Sequence, residues 1–366
     1  MDDYAYMNAR IRAMQGRLLG PPAYQELIAR ESTADLLEHL FESPYAQALE
    51  LTRSRLSAPG SPLAGIGQRG TEHGSLIDRA LRHELVRRLS KLRRYASDRP
   101  RELIETLALQ WDTYNLKTIV RGKRANAAVE DLLASTVPVG ALDEIALAEL
   151  ARAPTVQAVV DTIATWRYPI AQPLREGLKA YGETESLQPV EFELDRWTFA
   201  EAFKRVSAGD ANDLVVRDFL RLLADKANIL TALRYLHSRT ALSPIEAARH
   251  FLDVKGRFTR VQFQTVVAAR DLRQGLSLLG DTPYALIARK FALEESVALP
   301  RIERELEQLV LRKALALSRQ DPLGIGLPIA YFEQQINEVR NLRMIVRGKA
   351  LGLPPEGITE WLVSWS

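Results

Sequence analysis

Three stretches of the chain repeat one pattern of polar and apolar positions. Each has an acidic residue, an Asn three residues later and an Arg six residues beyond the Asn. The three sets are Asp112, Asn115 and Arg121; Asp225, Asn228 and Arg234; and Glu338, Asn341 and Arg347. Successive asparagines are 113 residues apart, and the outer two copies share the sequence Ile-Val-Arg-Gly-Lys. This repeat sets the organisation of the whole chain.

The apolar spacing predicts that each copy is helical. Around the third copy, apolar residues fall at steps of three and four, at Phe332, Ile336, Val339, Leu342 and Val346. Such steps place side chains on one face of an α-helix. The Asn lies beside this apolar stripe, and an unpaired buried amide costs about 1–3 kcal/mol. We therefore interpret the Asn as a hydrogen-bonded link to a neighbouring loop, with no chemistry of its own.

The repeat length predicts three domain-sized modules. Solenoid repeats run about 20–50 residues, whereas this unit has the size of a domain. A degenerate fourth copy around Asn8 means that four Asn helices bracket three modules. We expect modules at 1–116, 117–229 and 230–342, related by pseudo-threefold rotation, and a closing segment at 343–366. The first and last helices would complete each other's packing, and an open chain of three domains is the alternative.

The segments between the Asn helices are also predicted to be helical. Each module has a helix that leads to a proline–tyrosine corner, at Pro44–Tyr45, Tyr168–Pro169 and Pro283–Tyr284. A long amphipathic helix then begins near Asp78, Asp195 or Glu303. Runs of alternating β-branched residues, which would predict strands, are nearly absent. The predicted fold class is all-α.

Composition and charge indicate an ordinary globular chain. Its 366 residues exceed the size at which one hydrophobic core stops growing. The 49 basic and 46 acidic residues nearly balance, which does not favour a nucleic-acid partner. The absence of cysteine excludes disulfides and thiolate catalysis. The start of the chain lacks the pattern of a signal peptide, and no stretch approaches the roughly 20 apolar residues that span a bilayer.

No motif in the sequence predicts a catalytic, cofactor or metal site. Gly65, Gly67 and Gly70 fit G-x-G-x-x-G, but a Pro/Gly-rich linker precedes them where a dinucleotide site needs a strand. The following helix is expected only from about Ser75. The two Arg-Gly-Lys sequences lack the glycine five residues before Gly122 and Gly348 that a phosphate loop requires. The five histidines do not show metal-site spacing.

The three repeated arginines allow two interpretations. If the modules close, Arg121, Arg234 and Arg347 would form a basic ring that contacts a partner. Alternatively, each would pair with an acid near its helix end, where the helix dipole favours a cation. Ion pairing is the more common fate of helix arginines.

Taken together, these residues resemble the C subunit of the A/V-type rotary ATPases, the prokaryotic relative of the eukaryotic V-ATPase d subunit. The resemblance rests on the opening Tyr-Ala-Tyr-Met-Asn-Ala-Arg-Ile-Arg and on the Asp/Glu-x-x-Asn-Leu-Lys/Arg-x-Ile-Val-Arg-Gly-Lys helices. It covers essentially the whole chain. The middle copy departs most, with Leu230 for the Lys/Arg and Tyr235–Leu236 for Gly-Lys.

This resemblance implies a funnel of helices without catalytic activity or cofactor. It implies a position in the central stalk, between the D and F subunits of the rotor shaft and the membrane rotor ring, where the chain transmits torque for proton or sodium transport. Localisation would be cytoplasmic, on the membrane only through the ring and without bilayer insertion. A helical adaptor of another assembly is the second hypothesis, and an all-α enzyme is the third. Perturbed acids or histidines clustered in a central cavity would favour the enzyme.

Overall fold

A computed structural model describes residues 3–57, 71–184, 186–206, 209–238, 242–292, 294 and 297–364. Within these ranges the chain has 19 α-helices, one short 3-10 helix and no strand, which confirms the all-α class. The helices are α1 Asp3–Gln15, α2 Pro21–Ala29, α3 Thr33–Phe41, α4 Ala46–Ser57, α5 Thr71–Tyr95, α6 Asp98–Arg124, α7 Val129–Ser135, α8 Glu144–Arg152, α9 Val156–Thr165, α10 Ala171–Thr184, α11 Gln188–Arg205, α12 Ala211–Ser238, α13 Pro244–Ala247, α14 Arg260–Val267, α15 Leu272–Ser277, α16 Ala285–Phe291, α17 Leu299–Gln320, α18 Gly326–Ala350 and α19 Pro355–Trp361, with the 3-10 helix at Ala248–His250.

The long helices begin earlier than the sequence analysis predicted. Helices α5, α11 and α17 start at Thr71, Gln188 and Leu299, four to seven residues before the predicted starts. In α11 and α17 the first turn contains Pro189 or Pro300, which fits there because the N–H groups of a first turn have no helical partner. Helix α5 likewise begins four residues before Ser75, while the glycine motif at 65–70 lies outside the described residues.

The chain divides into two compact units. The first contains residues 1–101 and 311–366, and the second contains residues 102–310. The division into three modules and the funnel shape remain predictions. None of the described helices combines the length and the apolar content that crossing a bilayer requires.

The first unit is built from both ends of the chain. Helix α18 packs against α1, α2, α3, α5 and α19. It is buried along most of its length, from Gly326 at its start to Gly348 near its end. The buried Asn8 of α1 donates a hydrogen bond to the carbonyl of Gly324, at 3.1 Å. The C-terminal helix α19 also packs on α2, so it contributes to the same core as the N-terminal helices.

The second unit contains two hydrophobic clusters that follow the sequence repeat. One cluster spans Leu116 to Leu194 and gathers residues of α6, α8, α9, α10 and α11. The other spans Ile229 to Leu306 and gathers residues of α12 and the helices that follow it up to α17. Each cluster therefore begins directly after the Asn of one copy and ends in the long helix that precedes the next copy.

Candidate functional site

All three repeated asparagines make the same pair of hydrogen bonds to a downstream loop. Asn115 donates to the carbonyl of Val137 at 2.8 Å and accepts from its N–H at 2.7 Å. Asn228 does the same with Leu252, at 3.0 and 2.8 Å. Asn341 does so with Val363, at 2.9 and 3.0 Å. The three side chains are at most 1% exposed. The geometry is the helix-to-loop link that we inferred from the sequence.

The acids of the first two copies hold a second loop by its backbone. Asp112 accepts hydrogen bonds from the N–H groups of Ala141 and Leu142, both at 2.9 Å. Asp225 accepts from the N–H of Arg257 at 2.7 Å. It also accepts from the hydroxyl of Tyr284, in the proline–tyrosine corner, at 2.7 Å. Each repeat helix is thereby linked to two successive loops.

A glycine faces each of these two aspartates. A Cβ on Gly140 would lie 2.2 Å from an Asp112 carboxylate oxygen, and a Cβ on Gly256 would lie 2.0 Å from an Asp225 oxygen. Neither distance is possible for a real side chain. Glycine is thus required so that the loop backbone can approach the carboxylate.

The acid of the third copy takes its partners from the N-terminal part of the chain. Glu338 accepts from the N–H of Leu19 at 2.9 Å and from the hydroxyl of Tyr45 at 2.5 Å. Tyr45 lies in a proline–tyrosine corner, as Tyr284 does. The residue before the Leu19 donor is Leu18 rather than glycine. The longer glutamate side chain accordingly replaces aspartate at this copy.

Glu338 also belongs to a buried ionic network in the first unit. Arg88 of α5 donates to Glu338 at 3.0 Å and to Glu84 at 2.6 Å, and its guanidinium lies 4.9 Å from the centre of the Tyr45 ring. Glu338, Glu84 and Arg88 are at most 6% exposed. Burial raises the pKa of Glu338, against the opposing effect of Arg88 and the Tyr45 hydroxyl. Burial alone would also raise the pKa of Glu84, but Arg87 and Arg88 lower it overall.

The Gly of Ile-Val-Arg-Gly-Lys has a packing role in the outer copies. A Cβ on Gly122 would lie 1.9 Å from Leu132, the fourth residue of α7, and a Cβ on Gly348 would lie 2.6 Å from Ile358, the fourth residue of α19. The short helix therefore crosses the repeat helix at the glycine.

The middle copy compensates for the loss of this glycine. Tyr235 stands at its position, and the fourth residue of α13 is the small Ala247. The Tyr235 hydroxyl lies 2.9 Å from Nδ1 of His250, in the 3-10 helix that follows α13. Burial lowers the pKa of His250. The departure of the middle copy is thus a change of packing partners.

Two of the three repeated arginines are paired within the chain. Arg121 makes a two-pronged ion pair with Glu191 of α11, at 2.6 and 2.5 Å. Arg234 reaches Glu303 of α17 at 3.5 Å. Both acids lie on the following long helix rather than near the end of the arginine's own helix. The side chain of Arg347 is exposed and has no hydrogen-bond or ion-pair partner among the described residues.

The described residues include a cleft but no metal-binding cluster. A cleft of about 510 Å³ is lined by side chains that include Phe192, Arg196, Phe199 and Arg260. Two of its charged groups are already used: Arg196 pairs with Glu193, and Arg260 donates to the carbonyl of Ala248. No group of three or more His, Asp or Glu within the described ranges is placed to hold a metal ion.

Comparison with known proteins identifies the family. The model of the ATP synthase (C/AC39) subunit family matches residues 7–61 and 63–360. The chain belongs to this family. The match includes all three repeat helices and most of α1, so the C/AC39 resemblance seen in the repeat motifs is confirmed.

Named C/AC39 relatives align with nearly the whole chain. The C subunit of the V-type ATP synthase of Thermus thermophilus is 30% identical over 99% of this chain and 99% of its own length. The C subunit of the A-type ATP synthase of Methanocaldococcus jannaschii is 26% identical over 99% of this chain and 86% of its own length. The C subunit of the A-type ATP synthase of Halorubrum lacusprofundi is 28% identical over 98% of this chain and 97% of its own length.

Several residues around Glu338 are not predictable from the sequence pattern. The Arg88–Glu84 pair and the partners Leu19 and Tyr45 were not predicted, because they lie 250 to 319 residues from Glu338 in the chain. One signal was available. Tyr45 and Tyr284 both follow a corner proline, and this repeated tyrosine marks both residues as candidate partners of the repeat.

Replacing Asn341 with alanine is expected to lower the free energy of unfolding by about 1–3 kcal/mol. The reason is that Val363 loses both hydrogen bonds to the side chain. Chemical denaturation measures the loss. Asn8→Ala is the matched control, and it should cost less because the Asn8 side chain makes one such bond, to Gly324. An unchanged stability together with lost binding to other subunits would contradict the structural role of Asn341.

Proposed function

We propose that this chain is a non-catalytic central-stalk subunit of a rotary ATPase. In this role it links the D and F subunits of the rotor shaft to the membrane rotor ring. It transmits torque between ATP synthesis or hydrolysis and the transport of protons or sodium ions. Its residence at the membrane depends on the ring.

The observation that carries the proposal is the family match across residues 7–360, combined with full-length alignment to the C subunits of A- and V-type ATP synthases. The internal construction supports it in physical terms. A part that transmits torque needs packed helices that do not slide past one another. Here each repeat helix is linked by its Asn and its acid to separate segments of the chain. Buried polar groups that are hydrogen-bonded in this way favour one arrangement of the helices.

The non-catalytic part of the proposal is supported by how the polar groups are used. The buried acids of the repeat accept hydrogen bonds from the chain itself, which leaves them occupied as structural acceptors. The two Arg-Gly-Lys sequences lie inside α6 and α18, where their glycines accommodate a crossing helix. A phosphate loop would instead need a glycine-rich turn before a helix.

The proposal is tested by reconstituting the complex with and without this chain. Without it, we expect the catalytic head to retain ATP hydrolysis while ATP-driven ion pumping is lost. Adding the purified chain should restore pumping. The two rates are measured on the same vesicles, with a phosphate-release assay and an ion-sensitive dye. Full pumping in its absence would refute the coupling role, and loss of hydrolysis by the isolated head would indicate a catalytic contribution.

A further inference from the structure

The ends of α6 and α18 have the same backbone but display different side chains. In both, three N–H groups of the terminal turn donate to carbonyls at the same relative positions. At the end of α6 the bonds run from Ala125 to Arg121, from Asn126 to Lys123 and from Ala127 to Gly122. At the end of α18 they run from Leu351 to Arg347, from Gly352 to Lys349 and from Leu353 to Gly348. The middle residue of each turn has a positive φ, 53° in Asn126 and 68° in Gly352. The two ends therefore serve as an internal comparison at matched positions.

At the end of α6 the basic side chains are used within the chain. Arg121 pairs with Glu191, and Lys123 donates to the carbonyl of Ala151. At the end of α18 the equivalent Arg347 and Lys349 have no such partner among the described residues. Two positive charges are thus left available at one copy of the repeat.

The missing partner can be traced to one position. The basic residue two after the Asn pairs with an acid of the long helix in both copies: Lys117 with Asp195, and Arg343 with Asp78, at 2.5 and 2.6 Å. Glu191, the acid that binds Arg121, lies four residues before Asp195. Four residues before Asp78 stands Gly74. A Cβ on Gly74 would lie 3.5 Å from Val346, in ordinary contact, so packing does not require the glycine.

Apolar side chains accompany these two charges. Leu351 is 77% exposed and Leu353 is 39% exposed, where the α6 end carries the alanines Ala125 and Ala127. We call Arg347, Lys349, Leu351 and Leu353 the α18-end surface. An exposed leucine is common by itself. Here two leucines lie next to two cations that lack a described partner. At the matching turn of α6 the leucines are replaced by alanines, and both cations have partners within the chain.

We propose that the α18-end surface binds an acidic segment of another subunit of the complex, whose carboxylate pairs with Arg347 while an adjacent aliphatic side chain covers Leu351. The chemistry of the occupant is taken from the chain itself, because the equivalent arginines bind glutamate carboxylates in both other copies. A carboxylate from a partner would replace the one that Gly74 does not supply. This inference rests on the proposed function, since it assumes assembly with other subunits.

The first test compares binding of variants to the complex lacking this chain. Arg347→Glu is expected to weaken binding at least about tenfold, because it places like charges together at the interface. Gly74→Glu should also weaken binding, because it supplies Arg347 with an internal partner. Arg249→Glu is the matched control, since the exposed side chain of Arg249 likewise makes no described hydrogen bond or ion pair, and it should bind as the wild type does. Binding is measured by fluorescence titration, and circular dichroism melting verifies that each variant is folded.

The apolar part is tested in the same assay. Leu351→Ser should weaken binding, whereas Ile145→Ser, at a residue 78% exposed on α8, should not. Equal binding by wild type, Arg347→Glu and Gly74→Glu would overturn the inference and leave the proposed function standing. Failure of the wild-type chain to bind would overturn both. If Arg347→Glu instead abolishes binding to protein-free vesicles of anionic phospholipid, the occupant is a lipid headgroup and the proposal is wrong.

Discussion

Replacing Glu338 with alanine is expected to lower the free energy of unfolding by about 3–5 kcal/mol. Glu338 is fully buried and accepts hydrogen bonds from Leu19, Tyr45 and Arg88. Without the carboxylate, the buried donors of Leu19, Tyr45 and Arg88 lose their shared acceptor, and Arg88 is left with Glu84 alone as its charged partner. Equilibrium denaturation in urea measures the loss.

Two further variants separate charge from shape at this position. Glu338→Gln keeps an acceptor for Leu19 and Tyr45 and should cost less than alanine. Combining Glu338→Leu with Arg88→Met should recover part of the loss, because replacing both members of a buried pair by apolar groups is often nearly neutral. A loss below about 1 kcal/mol for Glu338→Ala, the typical value for an exposed pair, would show that the network does not secure the two ends of the chain.

Replacing Gly140 with alanine is expected to cost about 3 kcal/mol. The new Cβ would lie 2.2 Å from the Asp112 carboxylate, so the loop must move away and the bonds from Ala141 and Leu142 are strained or lost. Thermal and urea unfolding measure the effect, and Gly256→Ala should behave alike in the other copy.

Gly74→Ala is the matched control for these glycine variants. The new Cβ would lie at an ordinary contact distance from Val346. Residue 74 lies inside α5, where alanine favours the helix more than glycine does. It should be neutral or slightly stabilising. If Gly140→Ala is equally mild, the close approach of loop and carboxylate does not contribute to stability.

The sequence was sufficient to predict the repeat frame because its restraints are local. Apolar steps of three and four identify the helices, and an Asn beside an apolar stripe needs a partner within reach. Asn115 and Asn228 find theirs 22 and 24 residues downstream. The starts of α11 and α17 are less well predicted than the helices themselves, because each first turn contains a proline, although Val190 and Ile302 already lie buried there.

The rest of the site depends on contacts that spacing does not reveal. Arg88 lies on α5 among several arginines of similar pattern, and only the fold places it against Glu338. The lack of a described partner for Arg347 follows from the absence of an acid at Gly74, on another helix. The sequence alone left both a basic ring and ion pairing open for the three arginines. The structure pairs Arg121 and Arg234 with glutamates and shows no described side-chain partner for Arg347.

The long-range contacts of Glu338 also have a consequence for the order of events during synthesis. Leu19 precedes Glu338 by 319 residues. Ribosomes add about 5–20 residues per second, so Leu19 is synthesised roughly 16–64 seconds before Glu338, and Tyr45, which precedes Glu338 by 293 residues, roughly 15–59 seconds before it. During that interval Arg88 has no Glu338, and the apolar faces of α2 and α3 have no α18 to cover them. We therefore expect residues 1–101 of the nascent chain to expose apolar surface to aggregation for longer than residues 102–310, which hold both of their clusters without α18.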